Sequence, residues 1–261
     1  MRYARVLWLF FKLGLLSELE YRVNFFVQLL QSLLSLAVSL GGLSVIFDHT
    51  EQLNGWLPAE LLAVVGVYFL IGGLINTVIQ PSLTRFMQDI REGTLDFTLM
   101  KPVDAQVMVS VRQMQIWKLI DFALGAALLV VALIQLGALF GVTQALTFGI
   151  ALVAGGVIVY SFWMMLATLS FWFVRVENIL VIFESMYEAG RWPVGIYPGW
   201  LRFMLTFLVP VAFAVTVPAE ALTARLTLET LAGAVALASV LLVVSRVFWR
   251  YGVRNYTGAS A

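Results

Sequence analysis

Long apolar runs constrain this chain more than any other feature. Such stretches, with few charged residues, cover residues 25–47, 61–79, 116–136, 146–173 and 231–248. Each is close to the roughly 20 residues that a helix needs to cross the hydrocarbon core of a bilayer. A lipid-embedded backbone must satisfy its own hydrogen bonds, which leaves helices or closed barrels. The short alternating strands of a barrel do not give continuous apolar runs. The expected fold is therefore an all-α polytopic membrane domain spanning 1–261. Composition agrees: 61% of the 261 residues are hydrophobic and 12% are charged.

Orientation follows from the basic residues, which accumulate on the cytoplasmic side. Arg2, Arg5, Lys12 and Arg22 precede the first run. Arg85, Arg91, Lys101, Arg112 and Lys118 lie between the second run and the start of the third. Arg175 follows the fourth, and Arg246, Arg250 and Arg254 close the last. Segments 48–60 and 137–145 contain no Lys or Arg. Only Arg191, Arg202 and Arg225 of the 16 basic residues depart from this pattern. Both termini are expected inside, with six spans. Segment 1–23 reads either as an interfacial helix or as a helical lead-in to span one. Lys12 interrupts its apolar run and no small-residue cleavage site follows, so no signal-peptide cleavage is expected.

The fifth span is open. Pro193, Pro198, Pro210 and Pro218 break the apolar stretch 176–228. Either 177–196 crosses and 198–222 forms a re-entrant outer hairpin, or 199–217 crosses.

Several chemistries are excluded. The chain has no cysteine and one histidine, His49. Thiolate metal sites and multi-histidine sites are therefore out. There is no phosphate-binding loop of the G-x-x-x-x-G-K-[ST] type. A formal net charge of +1 gives no reason to expect a nucleic-acid partner. No catalytic residue and no bound metal or cofactor is expected.

Two constellations remain. The first is a polar island, Arg85-Phe86-Met87-Gln88-Asp89-Ile90-Arg91-Glu92-Gly93-Thr94-Leu95-Asp96, followed by Lys101-Pro102. Pro81-Ser82 can open a short helix there and Gly93 can close it. Phe86, Met87 and Ile90, with Leu95, Phe97 and Leu99 downstream, suggest docking to a soluble partner. The second is a polar stripe on span one: Asn24, Gln28, Gln31, Ser35 and Ser39. Asn76 and Gln80 answer it from span two. Amides in hydrocarbon must meet protein or a wetted path. Glu184 and Glu188, one turn apart, are candidate ion-coupling carboxylates of a secondary transporter. Asp121 and Lys118 read as a local ion pair.

The order of parts resembles the permease subunits of type-2 ATP-binding-cassette (ABC) exporters, in the branch without a fused ATPase. Four stretches carry the resemblance: Glu20-Tyr21-Arg22-Val23-Asn24-Phe25; Ile90-Arg91-Glu92-Gly93-Thr94-Leu95-Asp96 with Lys101-Pro102; Arg191-Trp192-Pro193 with Tyr197-Pro198-Gly199-Trp200-Leu201; and the tail from Phe248 to Tyr256. The resemblance implies an N-terminal interfacial helix over 1–23 and a re-entrant hairpin over 198–222. It also implies that segment 82–96 is a coupling helix docking on a separate ABC ATPase, present in two copies and carrying ATP and Mg. Its docking residues would be Arg85, Phe86, Asp89, Ile90, Arg91, Glu92, Gly93, Thr94, Leu95 and Asp96. The path would run between two permease subunits, identical or paralogous, in the cell (inner or plasma) membrane. The substrate would be amphipathic, drug-like or lipid-like. An ion-coupled transporter using Glu184 and Glu188 is the main rival. A non-transporting scaffold or sensor subunit is the third reading.

Overall fold

A computed structural model describes residues 22–137, 141–173 and 177–256, together with Trp8, Phe10 and Lys12. The expected interfacial helix over 1–23 therefore falls almost wholly outside the described residues. The main elements are α1 (Arg22–Phe47), α2 (Pro58–Leu74), a π turn (Ile75–Ile79), α3 (Gln80–Arg91), α4 (Asp96–Leu99) and α5 (Ala105–Ser110). They continue with α6 (Leu119–Leu136), α7 (Val142–Thr168), α8 (Glu177–Glu188), α9 (Gly199–Phe203), α10 (Val217–Leu222) and α11 (Leu228–Arg254). Among the described residues, five helical stretches are long and apolar enough to cross a membrane: Phe25–Phe47, Pro58–Arg91, Ile116–Leu136, Val142–Phe171 and Leu228–Arg254. The protein is an all-helical, multi-pass membrane protein.

The second span is the axis of the bundle. Most of α2 is buried, whereas α1 and α11 leave most of their length exposed to their surroundings. Apolar helices gain little from the hydrophobic effect inside lipid, so close packing through small residues holds them together. Here α2 and α6 touch backbone to backbone. A Cβ added at Gly125 would lie 2.7 Å from the Gly66 carbonyl oxygen and 2.7 Å from the Leu70 nitrogen. Gly125→Val is therefore expected to destabilise the bundle by about 1–3 kcal/mol through overpacking. Gly149→Val, at a position with nothing within 4 Å of an added Cβ, should be near neutral. Thermal unfolding in detergent checks both, and equal midpoints for the two variants would contradict the packing argument.

Span two and the island form one continuous helical run rather than two helices. The expected break at Pro81-Ser82 is absent. Proline has no N–H and its ring crowds the preceding turn. The π turn just ahead of Pro81 accommodates it. The Thr77 carbonyl, which an ordinary residue 81 would bond, instead accepts the Gln115 N–H at 2.9 Å. The run ends at Arg91, and Gly93 follows at φ +68°, a left-handed position suited to glycine.

The fifth segment is short and broken. Tyr187, on α8, donates its hydroxyl to the Tyr68 carbonyl at 2.8 Å. Farther along, the Gly195 carbonyl accepts from Asn54 Nδ2 at 3.1 Å. Asn54 lies in the turn between α1 and α2, so residues 177–196 run beside α2 to that end of the bundle. The next pair, Gly199–Leu208 and Ala212–Leu222, is bent by 78°. It returns to the same end. Arg225, just past α10, bonds the Gly55 carbonyl at 2.6 Å and both carboxylate oxygens of Glu60 at 3.0 and 2.6 Å. The bent pair thus enters and leaves by one end. The start of α1 and the end of α11 share the opposite end with the island. The Phe25 and Trp117 rings pack at a tilt with 4.7 Å between centroids, and the Trp249 ring lies 4.9 Å from that of Phe86.

Candidate transport path and coupling surface

A polar cavity of about 200 Å³ opens between α1, α2, α6 and α8. Residues the sequence singled out meet here: Gln31 and Ser35 from α1, Asn76 from the π turn, and Glu184 and Glu188 from α8. Others were not foreseen as site residues. Tyr68 and Tyr187 stack with centroids 5.0 Å apart and planes 18° apart. Arg191 places its guanidinium 5.3 Å from the Tyr68 ring centroid and reaches Ser35 Oγ at 3.4 Å. A cation over a tyrosine face gains electrostatic attraction from the ring quadrupole. Arg191, anomalous by charge bias alone, is thus turned inward to the cavity.

Asp121 is buried and accepts a hydrogen bond from Ser32. It therefore ties α6 to α1; the expectation of a local pair with Lys118 missed this partner. The stripe on α1 is also divided. Ser39 is buried and its hydroxyl bonds the Ser35 carbonyl at 2.8 Å. Gln28 buries its Oε1 without a hydrogen-bond partner among the described residues. Asn24 lies in α1, but its side chain is outside the described residues. Ionisable groups at membrane depth are costly and mark paths or buried pairings.

Below this cavity lies a second, polar-lined vestibule of about 480 Å³. Gln80, Thr84, Arg85, Gln88, Gln113 and Gln115 contribute to its walls. Asn76, Lys118 and Glu184 line both spaces. Gln80 Nε2 donates to Glu184 Oε2 at 3.0 Å, linking α3 to α8.

The vestibule leads to the island, which is organised around Asp89. This carboxylate is fully buried, yet Arg85 Nε lies 3.1 Å away, Arg112 contacts it, and Thr94 Oγ1 donates to it at 3.1 Å. The backbone N–H groups of Thr94 and Leu95 both bond the Asp89 carbonyl, at 2.9 and 3.3 Å. One residue therefore fixes the turn that connects α3 to α4.

The structure divides the expected docking residues: Arg91, Glu92 and Phe97 are exposed, and most of the apolar ones are not. Phe86 and Leu95 are buried, and Ile90 is half-buried. Phe86 packs against Phe171 at the end of the fourth span and against Trp249 on α11. The apolar side of α3 meets these helix ends, so it is not available to a partner. The exposed surface comes from Arg91, Glu92, Lys101 and Pro102, with Phe97 at 67% and Met100 at 73% exposure. Gly93, Thr94 and Asp96 are half-buried beneath it. Past this surface, Asp104 is clamped by Arg246 of α11. That hydrogen bond holds the Asp104 carboxyl below the usual carboxylate range, so it stays charged at neutral pH.

No metal-binding group of three or more His, Cys, Asp or Glu occurs among the described residues. Neither a curated protein nor a solved structure matches the chain. A family model described as ABC-2 family transporter protein matches residues 33–260. The match takes in α2 through α11 and the part of α1 from Leu33 onward, and so covers the vestibule, the island and the cavity lining except Gln31 and Ser32. The chain belongs to the ABC-2 transporter family, as a membrane transport subunit of an ABC transporter.

Proposed function

We propose that the chain is the permease subunit of an ATP-driven exporter. It pairs with a second permease subunit and is driven by two copies of a separate ATPase that carry ATP and Mg. One observation supports this reading above the rest. The helical run Pro58–Arg91 lines the polar cavity at Tyr68 and Asn76, lines the vestibule at Gln80 and Thr84, and ends at Arg91, one turn before the exposed Phe97 and Met100. A push at that surface reaches the path across the Gly93 turn and along one continuous helical run. Only contacts that differ between two states can shift their balance, and a partner that closes on ATP supplies such contacts. The island lies on the cytoplasmic side of a cell membrane in this reading, and so do both termini.

The substrate is an amphipathic molecule, drug-like or lipid-like. Pockets for drug-sized ligands occupy about 300–1,000 Å³, so a cavity of about 200 Å³ suits a polar head group. The exposed apolar side chains of α1, among them Leu34 and Val38, offer a surface for the apolar remainder. The ion-coupled alternative draws on Glu184 and Glu188. Lys118 and Arg191 in the same cavity already supply counter-charge, which weakens it. Co-purification in mild detergent tests the proposal. The wild-type chain should bring down a soluble ATPase with vanadate-sensitive turnover, and a folded chain that brings down none would sink it.

A further inference from the structure

We infer that Gln80 and Glu184 form the inner gate of the transport path, an inference that rests on the transport reading above. The cavity and the vestibule are neighbouring polar spaces, and three residues line both: Asn76, Lys118 and Glu184. Each comes from a different part of the chain. Asn76 sits in the π turn of the second span, Lys118 at the start of the third, and Glu184 on α8. At the waist between the two spaces, Gln80 Nε2 donates a side-chain hydrogen bond to Glu184 Oε2.

The position of Gln80 gives this bond a mechanical role. Gln80 is the first residue of α3, immediately after the π turn. π turns inside α-helices are frequent at functional sites. The helix is also tied to the third span beside the waist, through Thr77 to Gln115 and through Ser82 Oγ to the Gln113 carbonyl at 2.6 Å. α8 carries Glu184 on a separate element. A displacement of α3 therefore carries the Asn76–Lys118 side of the waist together, and moves Gln80 relative to Glu184. The amide–carboxylate bond breaks without stranding a charge, because Lys118 lines the same waist. The polar head of a substrate waiting in the vestibule would then pass into the cavity.

The absence of cysteine from the sequence makes the test clean. A charged, membrane-impermeant methanethiosulfonate is applied from the island side of vesicles to single-cysteine variants. Thr84→Cys, in the vestibule, should react rapidly in every background and reports that the chain is folded and reachable. Ser35→Cys, in the cavity, should react slowly when Gln80 and Glu184 are intact. If the open gate is a minor state of about 10% or less, Gln80→Ala should raise that rate about tenfold. Glu184→Gln, which keeps a hydrogen-bonding partner for Gln80, should leave it slow, and Ser239→Ala, on the exposed side of α11 away from both spaces, should not change it. A fast rate with the gate residues intact would overturn the inference. So would a rate that Gln80→Ala leaves unchanged while Thr84→Cys still reacts. No ATPase or substrate is needed, so failure here is distinct from failure of the exporter reading, which is decided by co-purification.

Discussion

Asp89→Ala is expected to lower the unfolding midpoint of the detergent-solubilised chain by roughly 10 °C. The carboxylate is fully buried and sits between Arg85, Arg112 and Thr94. Removing one partner of a buried pair typically costs about 3–5 kcal/mol, because the other is left uncompensated. Arg85 and Arg112 keep about a third of their side-chain surface exposed and can partly rehydrate, which places the loss near 3 kcal/mol. At about 2–4 °C per kcal/mol for a chain of this size, that gives the stated shift. Asp96→Ala, at a half-buried position in the next turn, should stay within about 0.5 kcal/mol. Equal midpoints for the two variants would show that Asp89 does not organise the turn.

The second large effect separates docking from folding. Phe97→Ser combined with Met100→Ser should leave the unfolding midpoint nearly unchanged. It should also weaken ATPase binding by about 30-fold or more, the 2 kcal/mol typical of a buried aromatic anchor. Phe86→Ala should do the opposite. Its ring packs between Phe171 and Trp249, and truncating a core phenylalanine costs about 3–5 kcal/mol of stability. Thermal scans beside quantitative co-purification read both. A Phe97 and Met100 variant that retains the ATPase at wild-type stoichiometry would move the docking surface elsewhere.

The sequence was legible where a signal is local and repeated. Continuous apolar runs announce spans regardless of their neighbours, and the Lys and Arg bias pairs the ends. Gly93 was legible because a helix terminus needs a left-handed residue. The burial of Phe86, Ile90 and Leu95 was not legible. Their apolar character fits a docking face and an inward face equally well, and only the approach of Phe171 and Trp249 decides between them. The continuity through Pro81 was hidden too, since proline normally ends a helix and the π turn that absorbs it has no sequence signature. Tyr68 and Tyr187 read as ordinary aromatic residues of membrane helices until the fold stacks them. Arg191 looked misplaced because charge bias concerns the two sides of a membrane, not a cavity within it. Gln31, Ser35, Asn76, Gln80, Glu184 and Glu188 were findable because polar side chains inside apolar runs are costly wherever the helix turns.

The central claim is that ATP-driven movement of the island switches access to the path. The most direct measurement is thiol labelling of Thr84→Cys from the island side, in vesicles holding the chain with its co-purified ATPase. Labelling is compared without nucleotide and after trapping with ATP and vanadate. The account predicts rapid modification without nucleotide and strong protection in the trapped state, as the vestibule closes. An unchanged rate, with the ATPase bound and its turnover blocked by vanadate, would contradict it.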